Sequence, residues 1–359
     1  MDFSSGRAMA YNLGMKQLTL ALPFALPPPE LAADLRRALR TPALAALLSR
    51  TNHQCLRPFD NATRLLPHEA WLAHRLGLAG APDSAPFAAA VMRGYGQAPA
   101  EGHWLLVHPV HVQIARNHLL MGDQRQLPLD EADSRALFDA ARPYFDEIGK
   151  PLQYGDAQTW FVRADDWAGL RAASPDAATG QNLNAWMPEG DAARATRKLQ
   201  NEVQMLWYEH PVNLARQARG LAPVNSFWIW GGAAAAQLSA APAPPLFSAG
   251  CPPWLATLGQ PASPIATAAG VLAQPHERAL MALGGLTGPG LAADWSNWLL
   301  QMEGLERDWF APLLAALKSG ALGQLTLVLS NRDAYAEFGS NKNAQRKFWR
   351  PHTLNKLAP

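Results

Sequence analysis

Residues 199–232 read LQNEVQMLWYEHPVNLARQARGLAPVNSFWIWGG, and the change of pattern inside this stretch decides the fold class. Leu199, Val203, Leu206 and His210 recur at steps of four, three and four, the spacing of one helix face. Pro211 ends or kinks that helix at His210, because a proline disfavours helical geometry in the residue before it. A short helix over 212–219 runs into Gly220, and residues 224–230 then alternate as a strand closing on Gly231-Gly232. Helix, helix and strand in so short a span imply an α/β (or α+β) chain: a mixed sheet with flanking helices.

Upstream, residues 17–24 have the look of a strand, and residues 29–40, 42–49 and 68–76 that of helices. Residues 1–86 therefore read as a mostly helical N-terminal region closing on an Ala/Gly/Pro-rich link over 77–86. Residues 104–112 and 117–121 are short apolar runs of a hairpin or a pair of adjacent strands, 130–145 is a helix with Asp130 as its candidate cap, and 159–162 is a further strand. Strand, strand, helix, strand requires antiparallel or mixed pairing, since parallel neighbours need a long crossover. Residues 87–245 thus form a mixed α/β region. Residues 246–359 read as mostly helical, around 274–283 and 295–317, with one late strand at 325–329 and a basic tail over 342–356.

The chain has 359 residues, of which 48% are hydrophobic and 17% charged, enough to bury a sizeable core. Its 31 basic and 29 acidic residues leave +2, so no broad field selects nucleic acid or acidic lipid. Two cysteines, Cys55 and Cys251, exclude a disulfide framework and a thiolate metal cluster, and suit a reducing, cytoplasmic setting. Most of the 13 tryptophans belong in the core or at domain contacts. Residues 18–26 imitate the apolar part of a secretory signal, but Pro23 and the prolines at 27–29 interrupt it, and export is not expected. No run reaches the roughly 20 apolar residues of a membrane span. Residues before Met15 read as a weakly structured extension, with Met15 an alternative start.

Site candidates concentrate in the opening stretch. Asn213, Arg216 and Arg219 share the short helix, where two of them on one face can grip a carboxylate or phosphate; the plainer alternative is a solvated, capping face. On the strand, Asn225, Phe227 and Ile229 face one side and Ser226, Trp228 and Trp230 the other. Gly231-Gly232 would let backbone N–H groups approach a ligand, or simply make a tight turn. His103, His108, His111 and His118 crowd together, yet His108 and His111 project to opposite faces of an extended chain, so no metal ligands are assigned. Arg116 and His118 read instead as ligand-facing polar residues. No Gly-x-Ser-x-Gly elbow or phosphate loop occurs, Glu202 reads as a surface residue, and no catalytic residue is assigned. In the tail, Phe348 and Trp349 are expected to dock the segment, and nucleic acid is not an expected partner.

Residues 199–205, His210-Pro-Val-Asn213, Ala218-Arg-Gly-Leu221, Pro223-Val-Asn-Ser226 and Trp228-Ile-Trp-Gly-Gly232 resemble the RpfE-type regulatory proteins, as do Gly180-Gln-Asn-Leu-Asn-Ala-Trp-Met-Pro188 and Lys347-Phe-Trp-Arg350. More remotely, residues 116–121 and 210–232 are similar to archaeal-type cofactor-independent phosphoglycerate mutases of the alkaline-phosphatase-like superfamily. That resemblance implies a remnant of their fold and makes Arg116, His118, Asn213, Arg216 and Asn225 contacts for an acidic ligand. Such mutases need an early Asp-Gly metal strand, a Ser or Thr nucleophile and Asp/His clusters for two ions, and this sequence has no Asp-Gly dipeptide. The implied function is regulatory or ligand-binding, without a cofactor, directed at a small acidic metabolite or a protein partner. The alternative is a phosphomutase or phosphatase using Mn2+ or Mg2+ through rearranged ligands.

Overall fold

Leu18, Leu20 and Leu22 recur along strand β1 (Gln17–Leu22), and all are buried, as befits the middle of a sheet. The computed structural model describes residues 15–60, 63–78, 85–115, 118–237, 244–259 and 265–358. After β1 come helices α1 (Ala32–Ala38) and α2 (Pro42–Ser49), strand β2 (His53–Pro58), and helices α3 (Pro67–Arg75) and α4 (Ala88–Gly94). Strands β3 (His103–Val110), β4 (Val112–Ala115) and β5 (His118–Met121) follow, then helix α5 (Glu131–Glu147) and the hairpin β6 (Leu152–Asp156) and β7 (Thr159–Arg163). Next are the one-turn helix α6 (Pro175–Ala178), helices α7 (Ala193–Tyr208) and α8 (Pro211–Ala218), and strand β8 (Ser226–Ala234). The remainder supplies β9 (Leu246–Ala249), α9 (Pro253–Ala256), α10 (Ala268–Leu272), β10 (Arg278–Leu283), α11 (Thr287–Leu291), α12 (Trp295–Leu305), α13 (Ala311–Ser319), β11 (Gln324–Ser330), β12 (Ala334–Asn341) and α14 (Lys342–Gln345).

Two sheets organise these elements. The six-stranded sheet has the order β2-β12-β11-β1-β10-β9, with β11, β1, β10 and β9 parallel and β12 and β2 antiparallel. The four-stranded sheet, β6-β7-β3-β8, is antiparallel throughout. On the outer face of the larger sheet the leucines of β1 and β11 pack against α2, α12 and α13 through residues such as Leu47, Trp298 and Leu317. Its inner face, with Ala21, Leu280 and Val328, meets α3, α4 and the Trp228/Trp230 side of β8. The opposite side of β8, Phe227 and Ile229, packs on α5 and α7 through Leu137, Leu199 and Trp207. Each fully buried Leu or Phe contributes about 1.5–3 kcal/mol of transfer free energy.

The mixed sheet with flanking helices is as the sequence implies, and so is the alternation along β8. Three readings need correction. Residues 274–283 are not a helix, because 278–283 form the buried strand β10, whose Ala-Leu-Met-Ala-Leu run is apolar on both faces and so lacks the two-residue period. The N-terminal region supplies β2 as well as helices; this exposed edge strand, His-Gln-Cys-Leu-Arg-Pro, is polar on both sides. The last region holds β9 and β12 besides the expected late strand. Strands from both ends of the sequence thus complete one sheet.

Candidate functional site

In the helix-turn-strand stretch most of the polar side chains are bonded to nearby backbone groups. Pro211 occupies the first position of α8, where its missing N–H costs nothing, and the His210 imidazole caps that helix by accepting from the Val212 N–H at 3.3 Å. Asn213 is fully buried, donating to the Trp207 and Val224 carbonyls at 2.8 and 2.7 Å and accepting from the Val224 N–H at 2.8 Å. Arg216, also buried, donates to the carbonyls of Ala222 at 3.0 Å and Pro128 at 2.7 Å, with Asp133 3.9 Å away. Arg219 is exposed. Asn225 clasps the N–H and carbonyl of Val112 at 2.7 Å each. His118 is half-buried on β5, and Arg116 lies outside the described residues. A Cβ on Gly231 or Gly232 would approach the Leu106 side chain to 2.9 Å or the His103 ring to 2.6 Å, so close packing accounts for both glycines. The imidazoles of His108 and His111 bond to separate backbone carbonyls, those of Gln158 and Pro223.

The polar groups that do converge lie where β1, β9, β10 and β11 end together, at the carboxyl edge of the parallel strands, the usual ligand position of an open α/β sheet. His68 and Glu69 occupy the first turn of α3 behind Pro67, and the Glu69 carboxylate accepts from the Leu66 N–H at 2.8 Å. Asp176 stands in the first turn of α6, whose cap is Ser174. Arg125 is held by Asp123 and donates to both Asp176 oxygens, at 3.1 and 2.8 Å. Arg332, just past β11, donates to the Ala177 and Thr179 carbonyls at 3.1 and 2.9 Å. A cavity of about 210 Å3 opens here, lined by Glu69, Gln124, Arg125, Gln158, Asp176, Cys251 and Trp254 among others. Trp230 supports it from behind, ring to ring with Trp254 at 5.0 Å, and the Trp228 indole donates to Ala173 at 2.7 Å, just before the cap of α6.

Burial sets the charges. It pushes the Glu69 carboxyl up to about 8, with the Asp176 charge adding to the effect. Burial likewise holds the His68 imidazole down to about 4, so at neutral pH its ring is uncharged and offers a lone pair. The Cys251 thiol is pushed up to about 12 by the same cause, which leaves it protonated and a poor nucleophile. With Arg125 and Arg332 set against Asp123 and Asp176, ionising Glu69 would leave one carboxylate in excess. A cation placed there would favour that ionised form.

His68, Glu69 and Asp176 each bring one ligand atom within 4.8 Å of the others, and no other such group of three or more His, Cys, Asp or Glu forms among the described residues. An ion with bonds near 2.1 Å needs donors within roughly 4.2 Å of one another, so a small closure suffices for this nitrogen-and-carboxylate set. Arg125 occupies both Asp176 oxygens, but a carboxylate has further lone pairs and can serve both. β1 itself ends without an acidic residue, on Leu22-Pro23-Phe24. Sequence reasoning missed this triad because His68 and Glu69 read as ordinary helix residues and Asp176 is distant in the chain. The start signal Pro67-His-Glu was the only local hint.

No family model matches the chain, and no curated protein matches it. Among solved structures it is similar to the PH0037 protein from Pyrococcus horikoshii, at 11% identity over 96% of this chain and 92% of that one, with a TM-score of 0.54. The cofactor-independent phosphoglycerate mutase from Thermoplasma acidophilum DSM 1728 aligns over 96% of this chain and 94% of its own at 14% identity, with a TM-score of 0.44. At such identities a likeness concerns the fold alone.

Proposed function

We propose that this chain is a binding protein whose cavity at the carboxyl edge of the parallel strands takes one divalent cation, held by His68, Glu69 and Asp176. The observation that carries the reading is their convergence to within 4.8 Å beside the cavity. One imidazole nitrogen and two carboxylate oxygens favour Mn2+ or Zn2+ over Mg2+, which prefers all-oxygen octahedra. A bound ion would supply positive charge to orient a small acidic molecule, so the acidic-metabolite expectation moves from the arginine helix to this cavity. About 210 Å3 is below the roughly 300–1,000 Å3 of sites for drug-sized ligands, which limits the occupant to a small molecule. A regulatory use rests on the resemblance to RpfE-type proteins alone.

Thermal denaturation with and without Mn2+, Zn2+ and Mg2+ tests the reading, because an ion that binds only the folded state must raise its apparent stability. Mn2+ or Zn2+ should raise Tm, and the Asp176→Asn variant should lose the rise. An unchanged Tm, or the same rise in the variant, contradicts the proposal. A second reading, an acidic ligand at Arg216, is favoured by one observation: the buried Nη2 of that residue has no hydrogen-bond partner. In the same assay, a carboxylated or phosphorylated metabolite that raises Tm without metal, and fails to do so in Arg216→Lys, would favour it.

A further inference from the structure

After Glu337 the sequence has no acidic residue, while Lys342, Arg346, Lys347, Arg350 and Lys356 are all basic. Among the described residues none of these five forms an ion pair with a carboxylate. Lys347 donates to the Thr51 carbonyl at 3.2 Å, Lys356 to the Thr51 hydroxyl at 3.1 Å and Lys342 to the Ser319 carbonyl at 3.1 Å, so these ammonium groups are placed but not neutralised. The tail is anchored by fully buried Leu357, not by its aromatic rings. Phe348 is 80% exposed and Trp349 66%, with ring centroids 5.3 Å apart, contrary to the docking expected from the sequence. Trp349 stands alone among 13 tryptophans as an exposed one. Exposed rings cost solvation, and nothing in the fold uses this pair.

A shallow, open depression of about 580 Å3 lies between the α1–α2 segment and the tail, reached on the tail side by His352, three residues beyond Trp349. Arg36, Arg37 and Arg40 line one part of it, and His352 and Asn355 another. Arg36 bonds to Asn355, Arg40 to a backbone carbonyl, and Arg37 pairs with Asp34 at 3.4 Å, an exposed pair that leaves Arg36 and Arg40 without a carboxylate partner among the described residues. We propose that this face binds single-stranded nucleic acid, its phosphates following the arginine-lined depression and the tail lysines while bases stack on Phe348 and Trp349. Backbone-tracking positive charge combined with sequence-tolerant stacking is how single strands are held. A bilayer is favoured less, because Phe348 and Trp349 are the only large apolar side chains exposed among the described tail residues.

The test is fluorescence anisotropy of the full chain with end-labelled, mixed-sequence single-stranded DNA and RNA about 15 nucleotides long. Binding should weaken with salt at a log–log slope of about −0.7 per phosphate engaged. The Phe348→Ala/Trp349→Ala variant, altering only exposed side chains, should bind roughly tenfold or more weakly with the slope unchanged. Arg346→Glu/Lys347→Glu should flatten the slope. No single-strand binding at 50 mM salt, binding unaltered in both variants, or equal affinity for the duplex of the same sequence would overturn the proposal. Binding to phosphatidylserine vesicles that the ring variant abolishes, with no binding of oligonucleotides, would assign the face to membranes and overturn it equally.

Discussion

Burial and the neighbouring Asp176 push the Glu69 carboxyl up to about 8, from 4.5 in an unfolded chain. Below pH 4.5 both states hold the proton and the difference between them has no consequence. Between pH 4.5 and 8 the native state holds a proton that the unfolded state has released, so stability falls as pH rises. Above pH 8 the cost is fully present, having grown by about 1.4 kcal/mol for each pH unit crossed between those two values. Glu69→Gln, uncharged and still able to accept from the Leu66 N–H, should match the parent at pH 4 and exceed it progressively up to pH 8.5 in urea unfolding. A pH-independent difference would mean that the carboxyl is not protonated in the folded protein. His68 and His108, both held down to about 4 by burial, act the opposite way: their contribution is lost as pH falls from 6.5 towards 4.

At the level of elements, the α8–β8 unit was legible because its signals are local. A proline at N1, a glycine after the helix and two-residue alternation are read from adjacent positions, and Phe227/Ile229 and Trp228/Trp230 separate into two cores as that alternation requires. The two ending glycines also differ in a testable way. Gly231 has φ +68° and a blocked Cβ position, whereas Gly220 has φ +72° with nothing within 4 Å. Gly220→Ala should cost about 1–2 kcal/mol for left-handed backbone alone. Gly231→Ala should cost about 1–3 kcal/mol more, because Leu106 must move. Equal losses in denaturant titration would show that packing does not select Gly231. What escaped the sequence lacked a local period: β10 is apolar on both faces and β2 polar on both. Arg216 and Asn213 invited a ligand reading because buried polar groups serving backbone carbonyls look, in sequence, like groups awaiting a ligand.

Across the whole molecule, β1 from one end of the chain sits between β10 and β11 from the other, and the carboxyl ends of these strands gather residues that no local window connects. His68 and Asp176 are brought together only when α3 and α6 pack over that edge, so the triad is a property of the topology. The same closure leaves the acid-free tail along α1 and α2, concentrating positive charge on a chain whose net charge is only +2. Isothermal calorimetry of Mn2+ at pH 7, in buffers of different ionisation enthalpy, is the sharpest test of the cation site because it counts both ions and protons. One ion per chain should bind, with a proton released as Glu69 ionises, and neither event should occur in Glu69→Gln. Absence of binding, or binding in that variant equal to the parent, would contradict a cation site built on this triad.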